Sequence, residues 1–233
     1  MYSPRSILAR PLLWPPRYPE LWPLRSGLVG WWPFDQRSGK ILRDRSGKRN
    51  DGTIYGATWV PNGLSFNGTS NYVQLPNFNT SGSFTISVRV KLNELNRLQY
   101  LTEKESSTRY EGTIFIDSAN KFNFYIKDDT TGLLLTSASA YGLGTYEITA
   151  VRDRVAGKLY LYVNGTSAAT PITDTLGDIT NTVARQFGAG NRAPTGRYFN
   201  GVFFSALIFD NRALNATEVK RLYEMTKSYV MGG

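Results

Sequence analysis

The chain has 233 residues, of which 41% are hydrophobic and 13% aromatic, and this composition excludes disorder over most of its length. It contains no cysteine and no histidine, which excludes disulfides, thiolate zinc sites and the catalytic pairs that use histidine as a base. The formal net charge is +9, and residues 1–49 carry ten basic and three acidic residues, a local excess of 10 − 3 = +7.

Residues 1–26 differ in composition from the rest of the chain, because they hold six of the eleven prolines together with two tryptophans and four arginines. Proline removes backbone donors and disfavours helix interiors and central strands, so this segment is predicted to be an extended arm. A frayed terminal tail is the alternative. The aromatic and leucine content favours an arm that docks along its own domain or a neighbouring subunit. The residues predicted to dock it are Arg5, Arg10, Trp14, Arg17, Tyr18, Trp22 and Arg25.

The basic arm fits a protein partner with an acidic surface, and a merely solvated basic face is the alternative. Nucleic acid is less favoured, because prolines interrupt the basic-aromatic pattern and residues 10–25 contain no lysine. No apolar run approaches the ~20 residues of a membrane span. The short apolar runs at 7–9 and 12–14 do not form a recognisable signal peptide, whose apolar core needs about 7 residues or more.

From residue 28 onward, short apolar segments alternate with Gly, Asn and Asp turns, which predicts a β-sandwich. The clearest strand is 83–92, where apolar residues occupy every second position and so share one face. The other predicted strands are 28–34, 57–60, 64–66, 71–75, 112–116, 121–127, 132–137, 146–152, 158–163, 186–190 and 202–209. The side chains predicted to face the core include Trp32, Phe34, Phe66, Phe84, Ile86, Val88, Tyr160, Tyr162 and Ile208.

A helix is predicted to close the chain. Asn215 is a good N-cap, and Glu218 stands at the third helical position, where it completes a capping box. Val219, Leu222 and Tyr223 are expected to face the sandwich.

Four segments carry a family resemblance. They read GLVGWWPFD at 27–35, DRSGKRNDGT at 44–53, GLSFNGTSNYVQL at 63–75 and NRALNATEV at 211–219. In this order and spacing they resemble the laminin G-like, concanavalin A-type jelly-roll domain. The resemblance implies an all-β fold, a jelly-roll sandwich of two antiparallel sheets with a short C-terminal helix. We therefore divide the chain into an extended arm at 1–26 and one jelly-roll domain at 27–233.

The resemblance also raises the question of catalysis, since some proteins of this fold are glycoside hydrolases that use paired carboxylates. Such a pair needs two acids on one face of a strand, and the apolar strands offer none. Glu103 and Glu105 share a face, but they flank Lys104 in a segment that looks polar. The chain is therefore expected to be non-catalytic.

Calcium is a common feature at the rim of this family's fold, and the weak candidates here are Asp44, Asn50 and Asn67. Calcium prefers several carboxylate oxygens, whereas Asn67 and Asn71 are neutral at positions where the family often has acids. Turn capping is the favoured role for the acids of this loop, and no cofactor is expected.

A glycan site would use an exposed aromatic ring beside hydrogen-bonding groups. The candidates for glycan contact are the loop aromatics Tyr55, Trp59, Tyr110, Tyr141 and Tyr198.

Two functions are compatible with these features. The first is a non-catalytic virion component, a capsid decoration or tail protein, that is present in repeated or homo-oligomeric copies and docks on acidic protein subunits through its arm. The alternative is a carbohydrate-binding, lectin-like module of a surface or secreted protein, which binds polysaccharide. The expected location is accordingly the virion or the extracellular surface.

Overall fold

The computed structural model describes residues 24–80, 82–190 and 197–231. Most of the predicted arm, including Arg5, Arg10, Trp14, Arg17, Tyr18 and Trp22, lies outside these residues. The docking prediction for the arm therefore stays a prediction.

The described part of the chain folds into short antiparallel strands followed by one helix. The elements are β1 (Leu28–Trp32), β2 (Ile41–Leu42), β3 (Gly52–Tyr55), β4 (Thr58–Val60), β5 (Gly63–Asn67), β6 (Tyr72–Gln74), β7 (Phe84–Leu92), β8 (Gln99–Glu103), β9 (Tyr110–Ile116), β10 (Phe122–Lys127), β11 (Gly132–Thr136), β12 (Gly144–Asp153), β13 (Lys158–Val163), β14 (Thr166–Ser167), β15 (Ile172–Thr173), β16 (Gln186–Phe187), β17 (Asn200–Asp210) and α1 (Ala216–Met231).

These strands form two sheets. One has nine strands in the order β14-β13-β12-β7-β17-β5-β4, with β1 also paired to β17 and β15 to β13. The other has eight strands in the order β11-β10-β9-β8-β16-β6-β3-β2. The strands that neighbour each other in space are often distant in sequence, as expected for a jelly roll, and the predicted sandwich is confirmed.

The main core lies between the sheets, where alternate side chains from both inner faces meet. Seven of the nine predicted core residues belong to it, namely Trp32, Phe34, Phe66, Phe84, Ile86, Val88 and Ile208. The placement of Tyr160 and Tyr162 in this core is wrong. Leu159, Leu161 and Val163 of β13 face the other sheet, so the two tyrosines point to the opposite face of the strand.

The opposite face of the nine-stranded sheet has its own apolar cluster, which is covered by α1. Val219, Leu222 and Met225 of the helix are buried there against the sheet, and Leu24, at the end of the predicted arm, is buried in the same cluster. The predicted capping box forms. The Asn215 side chain accepts the backbone N–H of Glu218, whose carboxylate accepts the N–H of Asn215, both at 3.0 Å. Among the described residues, no helix is both long and apolar enough to cross a bilayer.

Candidate functional site

The two sheets differ in what covers their outer faces, the faces turned away from the main core. In the part of the chain that the structure describes, α1 covers the nine-stranded sheet and no helix packs on the eight-stranded one. On β3 and β6, Ile54 and Val73 point into the core. Their neighbours Tyr55, Tyr72 and Gln74 therefore point outward. This outer face is the best candidate for a binding surface.

At one end of the outer face, two tyrosine rings pack face to face. Tyr55 and Tyr72 are opposite each other across β3 and β6, and their rings stack at 4.5 Å with 12° between the planes. Tyr55 is 43% exposed. The pKa of Tyr72 is raised by its partial burial and by its neighbours Tyr55 and Tyr198. We call Tyr55 and Tyr72 the tyrosine platform.

Polar side chains continue the face from the platform toward the middle of the sheet. Gln186 of β16 pairs with Gln74 of β6 on one side and with Glu103 of β8 on the other. Residues in direct register across strands point to the same face. Across the sheet, the outward side chains are therefore the tyrosines of β3 and β6, then the amides of Gln74 and Gln186, and then the carboxylate of Glu103.

The middle of the face carries two further aromatic pairs and two acids. Tyr100 stacks on Phe115 with ring centroids 5.4 Å apart, and Tyr110 meets Tyr125 edge to face at 5.0 Å. The hydroxyl of Tyr110 donates a hydrogen bond to Oε1 of Glu105. From β3 to β10 the aromatic and polar groups span five strand spacings, on the order of 24 Å.

Both acids are enclosed. Glu103 is 0% and Glu105 3% exposed. A Cβ on Gly190 would lie 2.5 Å from a carboxylate oxygen of Glu103, so the backbone of residue 190 covers this acid directly. The segment around Lys104 is polar in sequence, yet its two acids and its lysine are all buried.

The tyrosines in the middle of the face stay protonated at neutral pH. Burial, and next the charge of Glu103, raises the pKa of Tyr100 to about 12. Burial, followed by the hydrogen bond to Glu105, raises the pKa of Tyr110. The guanidinium of Arg197 lies over the Tyr100 ring, 5.3 Å from its centroid. The hydroxyls therefore act as neutral hydrogen-bonding groups beside apolar ring faces.

The structure brings two of the five predicted glycan residues, Tyr55 and Tyr110, to the outer face, and Tyr198 lies near enough to Tyr72 to raise its pKa. It places the other two elsewhere. Tyr141 packs between Phe122 and Tyr146, with centroids 4.8 and 5.2 Å away. Trp59 lies on β4, at the edge of the nine-stranded sheet.

Sequence reasoning missed several residues of this face. Its sheet partners are long-range, and the buried polar strand β8 has no apolar alternation that would reveal it. The aromatic repeat of 122–127 was recognised as a strand but not as a source of outward rings. The missed residues are Tyr72, Tyr100, Phe115 and Tyr125, whereas Glu103 and Glu105 were considered only as a catalytic pair.

The calcium candidates do not fit a calcium ion. The Asp44 carboxylate accepts hydrogen bonds from the backbone N–H groups of Trp31, Ser46 and Asn50 and from the Ser46 hydroxyl, at 2.7–2.9 Å. These four bonds use all its lone-pair positions. Asn67 ends β5, where its Oδ1 accepts the backbone N–H groups of the three residues Thr69, Ser70 and Asn71. The side-chain amide of Asn50 donates to the carbonyl of Val29 at 2.8 Å. Asp44 and Asn67 thus cap turns, and within the described residues no group of three or more His, Cys, Asp or Glu side chains could hold a metal ion.

Comparison with known proteins places the fold. A family model described as the concanavalin A-like lectin/glucanases superfamily matches residues 67–220. No curated protein shows a significant match.

Solved structures with a similar fold include the Trypanosoma rangeli sialidase, at TM-score 0.67 and 19% identity over 87% of this chain and 33% of that chain. A structure of botulinum neurotoxin type C, whose cell entry depends on interaction with two ganglioside molecules, matches at TM-score 0.71 and 14% identity, over 88% of this chain and 52% of that one. The binding domain of Paraclostridial Mosquitocidal Protein 1 matches at TM-score 0.69 and 17% identity, over 86% and 52%. This chain thus spans between a third and about half of their lengths.

Proposed function

The chain belongs to the superfamily of concanavalin A-like lectins and glucanases, and from this membership we propose that it is a carbohydrate-binding protein. Its binding surface is the outer face of the eight-stranded sheet. The lectin-like fold and its structural neighbours, a sialidase and a toxin that interacts with gangliosides, support carbohydrate binding better than an assembly role in a virion.

The observation that carries the proposal is the exposed ring of Tyr55 stacked on the half-buried ring of Tyr72. A sugar ring presents an apolar C–H face and a polar edge of hydroxyls. The ring face of Tyr55 that is turned away from Tyr72 offers a flat apolar surface to the first, and Gln74, the next outward residue after Tyr72 on β6, offers an amide to the second. An exposed ring face favours a sugar over an extended peptide, which requires a groove or a free strand edge.

We propose further that binding is not followed by hydrolysis. Glycoside hydrolysis needs two carboxyl groups that flank the glycosidic bond. Glu103 and Glu105 are both enclosed, and Glu105 is held by the Tyr110 hydroxyl, so neither acid reaches a bound sugar without rearrangement. Reducing ends released from the bound glycan would contradict this part of the proposal.

The test is the substitution Tyr55→Ala. It removes one half of the stack, and we expect the dissociation constant for a bound glycan to rise about tenfold, since an aromatic contact contributes about 0.5–1.5 kcal/mol beyond buried area. Tyr55→Phe keeps the ring and should bind nearly as the parent does. A glycan array identifies the ligand, and titration calorimetry measures the constants.

The matched control is Leu143→Ala, because Leu143 is also apolar and highly exposed but lies before β12, in the other sheet. It should bind as the parent does. Equal affinity for the parent and Tyr55→Ala, or binding to no glycan at all, would contradict the proposal.

A further inference from the structure

A separate cleft opens beside the edge strand of the nine-stranded sheet. It has a volume of about 390 Å³ and is lined by Arg37, Trp59, Val60 and Pro61. Its aromatic and cationic residues come from different segments, Trp59 from β4 and Arg37 from the loop between β1 and β2. The tyrosine platform contributes no residue to it.

The Trp59 ring is held in place. Its Nε1–H donates to the backbone carbonyl of Gly39 at 2.8 Å, which ties the ring to the loop that carries Arg37. The same loop is closed by Gln36, whose side chain donates to the carbonyl of Ile41 at 2.8 Å and accepts the N–H of Arg43 at 2.7 Å. The ring and the loop therefore form one preorganised unit.

Arg37 is exposed and adopts a left-handed backbone conformation, with φ at 66°. A long side chain seldom takes this conformation. Within the described residues its guanidinium has no ion pair or side-chain hydrogen bond. Its five N–H donors are free for a ligand.

The charge around the cleft is positive, because the acids of this region are already engaged. Asp51 pairs with Arg43 at 2.6 Å, and Asp35 pairs with Arg45 at 2.8 Å. Asp44 accepts three hydrogen bonds from its own loop and one from the backbone N–H of Trp31 on β1. Four basic side chains have no ion pair in the described part of this region, namely Arg37, Lys40, Lys48 and Arg49. The unpaired basic side chains therefore give the surface around the cleft a positive electrostatic potential.

We propose that this cleft is a binding site for an acidic sugar unit, one that carries a carboxylate on its ring. The ring lies on Trp59, and the carboxylate pairs with the guanidinium of Arg37, whose planar fork matches a carboxylate in two parallel hydrogen bonds. The tryptophan favours a ring with an apolar face, and so distinguishes this ligand from a simple anion. The inference does not depend on the tyrosine platform.

The experiment uses the full chain and two oligosaccharides of equal length, one built of hexuronic acid units and one neutral, with binding measured by titration calorimetry. Arg37→Gln should weaken binding of the oligouronate about tenfold or more, and should leave binding of the neutral oligosaccharide unchanged. Trp59→Phe keeps an aromatic ring but loses the hydrogen bond to Gly39, so it should weaken oligouronate binding less than Arg37→Gln does.

Arg49→Gln is the matched control. Arg49 is also exposed, has no ion pair in the described residues and has φ at 62°, but it does not line the cleft. It should change the oligouronate affinity less than twofold. Equal losses for Arg37→Gln and Arg49→Gln would show a diffuse charge effect and overturn the proposal. So would an oligonucleotide of the same charge that binds as tightly as the oligouronate, or an oligouronate that does not bind.

Tyr55→Ala separates this site from the function proposed above, and it should leave the oligouronate affinity unchanged. If Tyr55→Ala abolishes oligouronate binding and Arg37→Gln does not, the cleft proposal fails while the carbohydrate-binding function stands. If only Arg37→Gln abolishes oligouronate binding and no glycan depends on Tyr55, the cleft stands and the platform proposal fails.

Discussion

Buried charged side chains are unusually prominent at the scale of single residues. Lys104 and Glu111 form a fully buried ion pair, with Nζ 2.7 Å from Oε2. Such a pair is costly to break, because either partner left alone would be an uncompensated buried charge.

Glu147 of β12 is a buried acid without such an ion pair in the described residues. It lies opposite Arg89 of β7 beneath α1, accepts a hydrogen bond from Thr226, and has no partner for Oε1 among the described residues.

Because Glu147 is buried, we expect the unfolding free energy of the protein to depend on pH. Burial raises the pKa of this carboxyl from 4.5 to about 7, against the opposing effects of Thr226 and Arg89. A carboxyl with a raised pKa in the folded state stabilises the fold fully below its unfolded pKa, and this contribution is lost as pH rises toward 7. The difference corresponds to roughly 3 kcal/mol.

We therefore expect the unfolding free energy of the parent to fall between about pH 4.5 and 7 relative to that of Glu147→Gln, which stays uncharged and of similar shape. Urea denaturation across this range measures the difference. Parallel curves for the two proteins would show that Glu147 does not titrate in the folded state.

At the scale of elements, the helix and the strand β7 were predictable because their signals are local. The capping box needs only four consecutive residues, and the alternation of β7 is uninterrupted. The face of β13 could not be read from the sequence, because α1 buries its outer side as well as its inner one and so removes the contrast between faces. Strand β8 was missed because Gln99 and Glu103 are polar yet buried, with the Gln99 amide bonded to Glu94 and Asn200.

The candidate site was predictable only in part for the same reason. Tyr55 and Tyr198 were named as loop aromatics, but Tyr55 lies on β3, and its stacking on Tyr72 depends on the pairing of β3 with β6. Tyr198 comes near Tyr72 only through the long-range return of the chain before β17. Pairing across such sequence distances is set by the whole sandwich and not by local propensity. The sequence therefore predicted individual aromatic residues of the site but not the stacking that forms the tyrosine platform.

The helix cap gives a prediction at this scale. Asn215→Ala removes the acceptor for the Glu218 N–H, and it should destabilise the protein by about 1 kcal/mol, the usual cost of losing an N-cap. Asn215→Ser keeps a capping oxygen and should cost only a fraction of that. Chemical denaturation of the three proteins measures both changes. Equal losses for the alanine and serine variants would argue that the cap does not contribute through its side-chain acceptor.

At the scale of the whole molecule, the two outer faces of the sandwich have different roles. The nine-stranded sheet is covered by α1 and by Leu24, and beside them Arg212 joins Glu218 of the helix to the backbone carbonyl of Ser26. The eight-stranded sheet keeps its aromatic rings on the outside. A ligand can therefore bind to the outer face of the eight-stranded sheet without displacing α1. The core between the two sheets holds them together.

A substitution at Phe84 tests whether the core holds the two sheets together. It is fully buried on β7 and meets Phe124 of the opposite sheet edge to face at 6.1 Å, so it bridges the two layers. Phe84→Ala should lower the unfolding free energy by about 3–5 kcal/mol, because the cavity it leaves adds to the lost transfer free energy. The denaturant slope should stay the same. Val155→Ala is the control, since Val155 is 96% exposed at a hairpin tip, and its effect should stay within about 0.5 kcal/mol. A loss of less than about 1 kcal/mol for Phe84→Ala would place the bridge between the sheets elsewhere.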